Sequence, residues 1–324
     1  MRLLCSDEAR KELISAGLLD RPGNTVLLLG MAEASAAQAA LVTRDVFGAS
    51  TDSRLEPHTA EFFDALAHAP ALQWVHTYAS GLDRPIYRAL QSRGVTVTNS
   101  AGSNAATVAQ TALGGFLYFA RALHVARAQQ DARTWRSLKH KDIRALDRLD
   151  ALIVGWGEIG KTLGRYLDAL GVHCRVLRQH GEQVSEGWPT ATYAAFDTWV
   201  ADADWVFFVC PLSESTRRLF HQGTIAHLKA ERPLNVVNVS RGAVIDNAAL
   251  QTAHDAGLVR HAYLDVFETE PLATDDPLWK VDDFLLSPHM AGTADGNRAA
   301  VIQRFLKQLA ERNSAPDRTH RADT

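Results

Sequence analysis

The chain has 324 residues, 46% of them hydrophobic and 22% charged, with a formal net charge of −3. That length holds one large domain or two ordinary ones, and the near-neutral balance leaves no overall electrostatic footprint for nucleic acid. The three cysteines, Cys5, Cys174 and Cys210, are far apart and odd in number, which argues against a disulfide scaffold or a paired-cysteine metal site.

No apolar run approaches the ~18 residues of a membrane span, and Leu3-Leu4-Cys5 is too short a run for a signal peptide. The expectation is a cytoplasmic protein with no metal and no nucleic-acid or membrane partner. In chain order, residues 25–29 (TVLLL) read as a strand ending at Gly30, and the Ala-rich 32–42 reads as a helix. Residues 72–77 are strand-like and run into the small-residue loop Tyr78-Ala79-Ser80-Gly81; 95–98 is another short β run. Residues 104–129 read as one long helix, with Val108, Leu113, Phe116, Leu117, Ala120 and Leu123 near helical spacing. A helix this apolar needs neighbours, as a domain connector, a subunit interface or both.

From Ala151 the alternation becomes regular. Strand-like runs at 151–154, 173–177, 205–209, 234–237, 262–265 and 284–286 are separated mostly by helical segments at 159–170, 193–200, 225–229 and 247–256. Strands alternating with helices predict a parallel sheet covered on both faces, doubly wound by right-handed crossovers. After Gly292 a helix carries Val301, Phe305, Leu306 and Leu309, and the polar tail from Asn313 is expected to fray.

The segment GWGEIGKT at 155–162 fits two phosphate-binding patterns at once. Gly155, Gly157 and Gly160 spell the dinucleotide turn; Gly155 with Gly160-Lys161-Thr162 spells the nucleoside-triphosphate loop. Both patterns follow a strand and open a helix whose free amides hold phosphate oxygens. Only the dinucleotide reading needs Gly157, and only it predicts a ribose-reading residue at the end of the next strand. Arg178 stands there, 18 residues after Gly160. An acid at that place would accept from the 2′-hydroxyl of NAD; an arginine offers a fork of donors to the 2′-phosphate of NADP. The expectation is therefore NADP(H) in preference to NAD(H), with Gln179 and His180 assisting.

A bound nicotinamide needs a group that moves a proton while the hydride moves. No tyrosine has a lysine four residues later, which disfavours the short-chain dehydrogenase arrangement. Arg241, Glu270 and His289 all follow strand-like runs, where open α/β sheets place ligands. They form a coherent set: an arginine for an acid substrate, a histidine for the proton, and a glutamate to orient the histidine.

These segments carry a family resemblance. VGWGEIG at 154–160, VCPLSEST at 209–216, NVSRGAVID at 238–246, LDVFETEP at 264–271 and SPHMAG at 287–292 are similar to the D-isomer-specific 2-hydroxyacid dehydrogenases. SGLD at 80–83 and VTNSAGSNAATVAQ at 97–110 fit more loosely. Arg178 resembles the NADP-using glyoxylate and hydroxypyruvate reductase branch. The resemblance implies two Rossmann-like domains: a discontinuous substrate domain, 1–103 with 293–324, and an inserted dinucleotide domain, 104–292. It implies a homodimer through the 104–129 region.

It also implies roles. His289 would donate a proton in reduction and accept it in oxidation, and Glu270 would favour its imidazolium. Arg241 would hold the substrate carboxylate, shared with amides at Ser80 and Gly81. Cofactor contacts would fall at Gly155, Gly157, Glu158, Ile159, Gly160, Arg178, Gln179, Val239 and Gly292. Cys210, Pro211 and Thr216 would line the adenosine side, and Asp265 would position the nicotinamide carboxamide. The implied reaction reduces a small 2-ketoacid to a D-2-hydroxyacid in an interdomain cleft. Two alternatives stay open: a dinucleotide-sensing corepressor of the same fold, and a triphosphate hydrolase using Lys161.

Overall fold

The computed structural model describes residues 1–18, 26–48, 50, 54–79, 81–82, 84–138, 143–180 and 187–314. The chain divides into two units, 1–104 with 294–324 and 105–293. Each division falls one residue C-terminal to the one expected. Both units are built on parallel sheets with helices on their faces, which is the doubly wound α/β class expected.

The first unit runs β1 (Arg2–Cys5), α1 (Asp7–Ser15), β2 (Leu27–Leu29), β3 (Ala39–Val42), α2 (Arg44–Phe47), α3 (Pro57–His68), β4 (Trp74–Thr77), α4 (Pro85–Ser92) and β5 (Thr96–Asn99). The strand order is β2-β1-β3-β4-β5, all parallel. β1 shows why the sheet needs cover on both sides. Leu4 faces a cluster with Phe47, Phe62, Leu66 and Tyr87, whereas Leu3 and Cys5 face one with Leu13, Trp74, Phe305 and Leu309. The second cluster is completed by the last helix of the chain, residues Asn297–Ser314, where Phe305 stacks on Trp74 with centroids 5.1 Å apart. A segment from the far end of the sequence therefore closes the N-terminal sheet.

The second unit runs α5 (Ala105–Ala120), α6 (Leu123–Asp131), β6 (Asp150–Val154), α7 (Glu158–Ala169), β7 (His173–Arg178), β8 (Thr190–Thr192), α8 (Phe196–Val200), β9 (Trp205–Phe208), β10 (Leu234–Asn238), α9 (Asn247–Asp255), β11 (Val259–Leu264) and β12 (Phe284–Leu286). The helix Asn297–Ser314 is then α10. The order β12-β11-β10-β9-β6-β7-β8 places the reversal of winding between β6 and β9. In open parallel sheets that is where a crevice opens outside the carboxyl ends of the strands.

Several expectations are corrected. Residues 32–42 are not one helix: a 3-10 helix, Met31–Ala36, leads into β3, whose four residues are all buried between β1 and β4. Burial on both faces outweighs the helix propensity of alanine there. Residues 104–129 are two helices, because Ala122 takes a left-handed conformation, φ +54°, between α5 and α6. The 193–200 helix begins as a 3-10 turn, and 225–229 lies at the end of another, Gln222–His227. β1 and β8, of four and three residues, were not read as strands. The tail beyond 314 lies outside the described residues.

Candidate active site

The glycine loop sits at the switch point. β6 pairs with β7 on one side and β9 on the other, so the loops leaving β6 and β9 start side by side. Gly155 lies at φ +112°, and a Cβ there would stand 2.7 Å from the Cys210 backbone. No other residue type meets both conditions. A Cβ on Gly160 would collide with the Gly155 carbonyl. Gly157 is different: it caps α7, and nothing lies within 4 Å of the place a Cβ would take. Its bareness serves no internal contact. It leaves the first amides of a helix open to a close-fitting phosphate, as a pyrophosphate requires. Glu158 and Ile159 form the first turn of α7. Among the described residues, Lys161 Nζ pairs at 3.5 Å with Glu158 on its own helix.

Arg178 ends β7 opposite Thr192 of β8. It is partly buried, and its side chain forms no hydrogen bond or ion pair among the described residues. Gln179 follows it, exposed, and lines a shallow cavity of about 310 Å³ with Ser213, Glu214 and Ser215. Cys210 is buried and its thiol is pushed up to about 12 by desolvation, so it is inert packing beside the loop. Pro211 is exposed. Thr216 is buried, and its hydroxyl donates to the Pro211 carbonyl at 2.7 Å while accepting from the Ser213 amide at 2.8 Å. That side chain fastens the 211–216 turn.

The acid–base set assembles past β10, β11 and β12. His289 Nδ1 lies 2.7 Å from Glu270 Oε2, and the imidazole is half exposed. Nε2, on the other edge of the ring, is the nitrogen that this contact leaves for a substrate. Glu270 Oε1 accepts from the Phe267 amide at 3.0 Å. Burial raises the cost of charge on Glu270, but the hydrogen bond and charge of His289, the Phe267 amide and the Arg241 charge outweigh it. The carboxyl is held below its usual range. A carboxylate facing Nδ1 fixes the tautomer and orientation of the ring.

Arg241 is placed by a turn that Asn238 builds. The Asn238 side chain accepts from the Ser240 amide at 3.0 Å and hydroxyl at 2.8 Å, and donates to the Arg241 carbonyl at 3.1 Å. The turn comes close to the Glu270 loop because Gly242 has no Cβ; one there would overlap the Phe267–Glu268 backbone. Asn238 and Gly242 lie inside NVSRGAVID, where the pattern along the chain gives neither a role. The signal that could mark them is an amide side chain at a strand end and a glycine after an arginine. Val239 is buried after β10, and Gly292 follows the His289 loop.

Asp265 is held by the loop that follows β12. Its carboxylate accepts from Ser287 Oγ and from the amides of Met290 and Ala291. It clamps the loop that carries His289. Ser80 lies outside the described residues, and Gly81 follows β4 in the first unit. No group of three or more potential metal ligands occurs among the described residues. No helix among them is long and apolar enough to cross a membrane.

A parallel sheet with a glycine turn at its switch point, and a histidine–carboxylate pair past its far strands, defines a class: an oxidoreductase using a nicotinamide dinucleotide. Comparison with known proteins makes this specific. Residues 113–291 match the NAD-binding domain model of the D-isomer specific 2-hydroxyacid dehydrogenases. A glyoxylate reductase from Korarchaeum cryptofilum is 30% identical over 260 residues, 78% of this chain and 76% of that protein. A D-3-phosphoglycerate dehydrogenase from Mycobacterium leprae is 30% identical over 87% of this chain, but the match spans only 50% of that longer protein. The crystal structure of a D-isomer specific 2-hydroxyacid dehydrogenase from Xanthobacter autotrophicus Py2, in complex with NADPH and MES, superposes with a TM-score of 0.75. It is 26% identical and the match covers 97% of this chain and 96% of that one. The chain belongs to the D-isomer specific 2-hydroxyacid dehydrogenase family and is an NAD(P)-dependent oxidoreductase.

Proposed function

We propose that this chain is an NADPH-preferring reductase of small 2-ketoacids, of the glyoxylate/hydroxypyruvate kind, giving D-2-hydroxyacids. The observation that carries it is the 2.7 Å pair of His289 and Glu270 beside the Arg241 turn, on the same sheet as the open glycine loop. The 105–293 unit holds the dinucleotide, and 1–104 with 294–324 forms the substrate domain. The dinucleotide supplies the hydride that reduces C2. Arg241 pairs with the carboxylate and polarises the keto oxygen. His289 protonates that oxygen through Nε2 and takes the proton back in oxidation, while Glu270 holds Nδ1. Asp265, besides clamping the loop, would position the nicotinamide carboxamide through the one lone pair of Oδ2 that the clamp leaves over.

Arg178 and Gln179 read the 2′-phosphate, which a guanidinium at the end of β7 with no hydrogen bond or ion pair among the described residues favours. The triphosphate reading has less support, since Lys161 pairs at 3.5 Å with Glu158 along its own helix. A second copy of the chain covers the α5–α6 region. α6 buries none of its residues, and Leu123, Trp135 and Leu138 are 51%, 97% and 40% exposed. Leu123→Glu should then yield monomers by light scattering. Three buried cysteines, none disulfide-bonded, fit a reducing, cytoplasmic setting.

The test is kcat/KM for glyoxylate, hydroxypyruvate, phenylpyruvate and branched 2-ketoacids with both coenzymes. Turnover with NADPH preferred is expected. Arg178→Gln should cost about tenfold with NADPH and little with NADH, in proportion to one lost charged contact. A tenfold preference for NADH overturns the coenzyme reading. Absence of turnover with every ketoacid leaves the dinucleotide-sensing role instead.

A further inference from the structure

The loop that carries His289 hangs on one aspartate. Asp265 Oδ1 accepts from Ser287 Oγ at 2.5 Å and from the Met290 amide at 2.8 Å; Oδ2 accepts from the Ala291 amide at 2.8 Å. The Asp265 carbonyl accepts from the His289 amide at 2.8 Å. His289 sits inside this clamp at φ +51°, a conformation that side chains with a Cβ rarely take. The clamp has to impose that geometry on the backbone.

A third residue stands behind it. Ser287 has one hydroxyl proton and gives it to Asp265, so in the 2.9 Å contact with Tyr263 the phenol is the donor. Tyr263 is 4% exposed, and burial pushes its phenol up to about 12, which keeps the proton in place at neutral pH. Its ring has room because Gly115 of α5 lacks a Cβ; one there would run into the ring. A buried phenol has thus been accommodated at the end of β11, with its hydroxyl aimed at the serine that orients Asp265.

We propose that Tyr263 and Ser287 are positioning residues for this reaction. The relay Tyr263 to Ser287 to Asp265 fixes the Asp265 carboxylate, and through it the backbone angle from which His289 meets Glu270 and the substrate oxygen. Neither residue touches the reacting atoms. The proposal rests on the reductase reading above for its kinetic arm only.

Ser287→Ala removes the donor to Asp265, and Tyr263→Phe removes only the hydroxyl while keeping the ring against Gly115. Ser287→Ala should lower kcat about fivefold to tenfold, and Tyr263→Phe by less, as expected for single hydrogen bonds. KM for the ketoacid should stay within about twofold, because carboxylate binding is untouched. The double variant should be no slower than Ser287→Ala, since the tyrosine acts through the serine. Ser287→Thr, which keeps the hydroxyl, should recover kcat. Independently of turnover, hydrogen exchange at the Met290 and Ala291 amides should accelerate about tenfold in folded Ser287→Ala. An unchanged kcat in Ser287→Ala, losses that multiply in the double variant, or unaltered exchange at those amides would each overturn the relay. A wild-type protein that reduces no ketoacid would defeat the reductase reading, and the exchange measurement would still decide the relay.

Discussion

At the scale of single residues, the site depends on a few positions where backbone geometry and chemistry coincide. His289 combines a left-handed backbone with a short contact to Glu270. Removing the imidazole in His289→Ala should lower kcat by two or more orders of magnitude, the scale of lost general acid–base catalysis. Glu270→Gln should cost less, because the ring keeps a neighbour but loses its charged partner; steady-state kinetics at neutral pH rank the two. Arg241→Lys should act mainly on kcat/KM, since a point charge replaces a bidentate fork. Gly155→Ala meets the Cys210 backbone and a forbidden φ together. It should destabilise the protein by about 2 kcal/mol or more and abolish dinucleotide binding, read by thermal melting and coenzyme titration. Most of these residues were legible in the sequence, because strand-end chemistry falls at fixed distances from glycine and proline punctuation. The clamp by Asp265 was not legible, because an aspartate after a strand looks the same whether it faces a ligand or a loop.

At the scale of elements, short strands decide the sheets and are the hardest to read. β1 is four residues long and still pairs with both β2 and β3. β3 is written Ala-Ala-Leu-Val and resembles a helix until its neighbours bury both faces. A four-residue run carries too few periods to separate the two conformations. The amino ends of β6, β9 and β10 are tied by a charge cluster that no motif announced. Asp204, 2% exposed, accepts from Arg232 Nη2 at 2.7 Å and from Arg144; Arg232 also reaches Asp150 at 2.5 Å. Burial works against the Asp204 charge, but these partners and the Asp150 amide hold its carboxyl below the usual range. Arg232→Ala strips a buried carboxylate of its main partner. The expected loss is about 3 kcal/mol, seen as a lower urea midpoint. A loss under about 0.5 kcal/mol would show the cluster to be a surface feature.

At the scale of the whole molecule, each unit holds a histidine, His76 buried and His261 largely so, that must stay neutral. His76 in the first unit is fully buried against Thr98 and Ser100, and His261 in the second stacks on Phe119. Desolvation above all lowers each to about 4, against an ordinary value of 6.5. The unfolded chain therefore takes up these protons first as pH falls. The stabilisation is complete above pH 6.5 and is lost progressively towards pH 4, on the order of 2–3 kcal/mol per histidine. A urea midpoint unchanged between pH 7 and pH 4.5 would contradict this.

The formal charge of −3 conceals the arrangement that matters, in which Arg241 and His289 stand at the sheet end proposed to receive an anionic substrate. The sequence by itself determined the strand–helix alternation, the glycine turn and the order of Arg241, Glu270 and His289, because these are local patterns with fixed spacing. Only the tertiary structure decided which glycines serve packing and which leave space, that Phe305 of α10 stacks on Trp74 of the N-terminal sheet, and that Asp265 holds the histidine loop. Those depend on contacts between residues far apart in the chain, and a pattern along the chain carries no record of them.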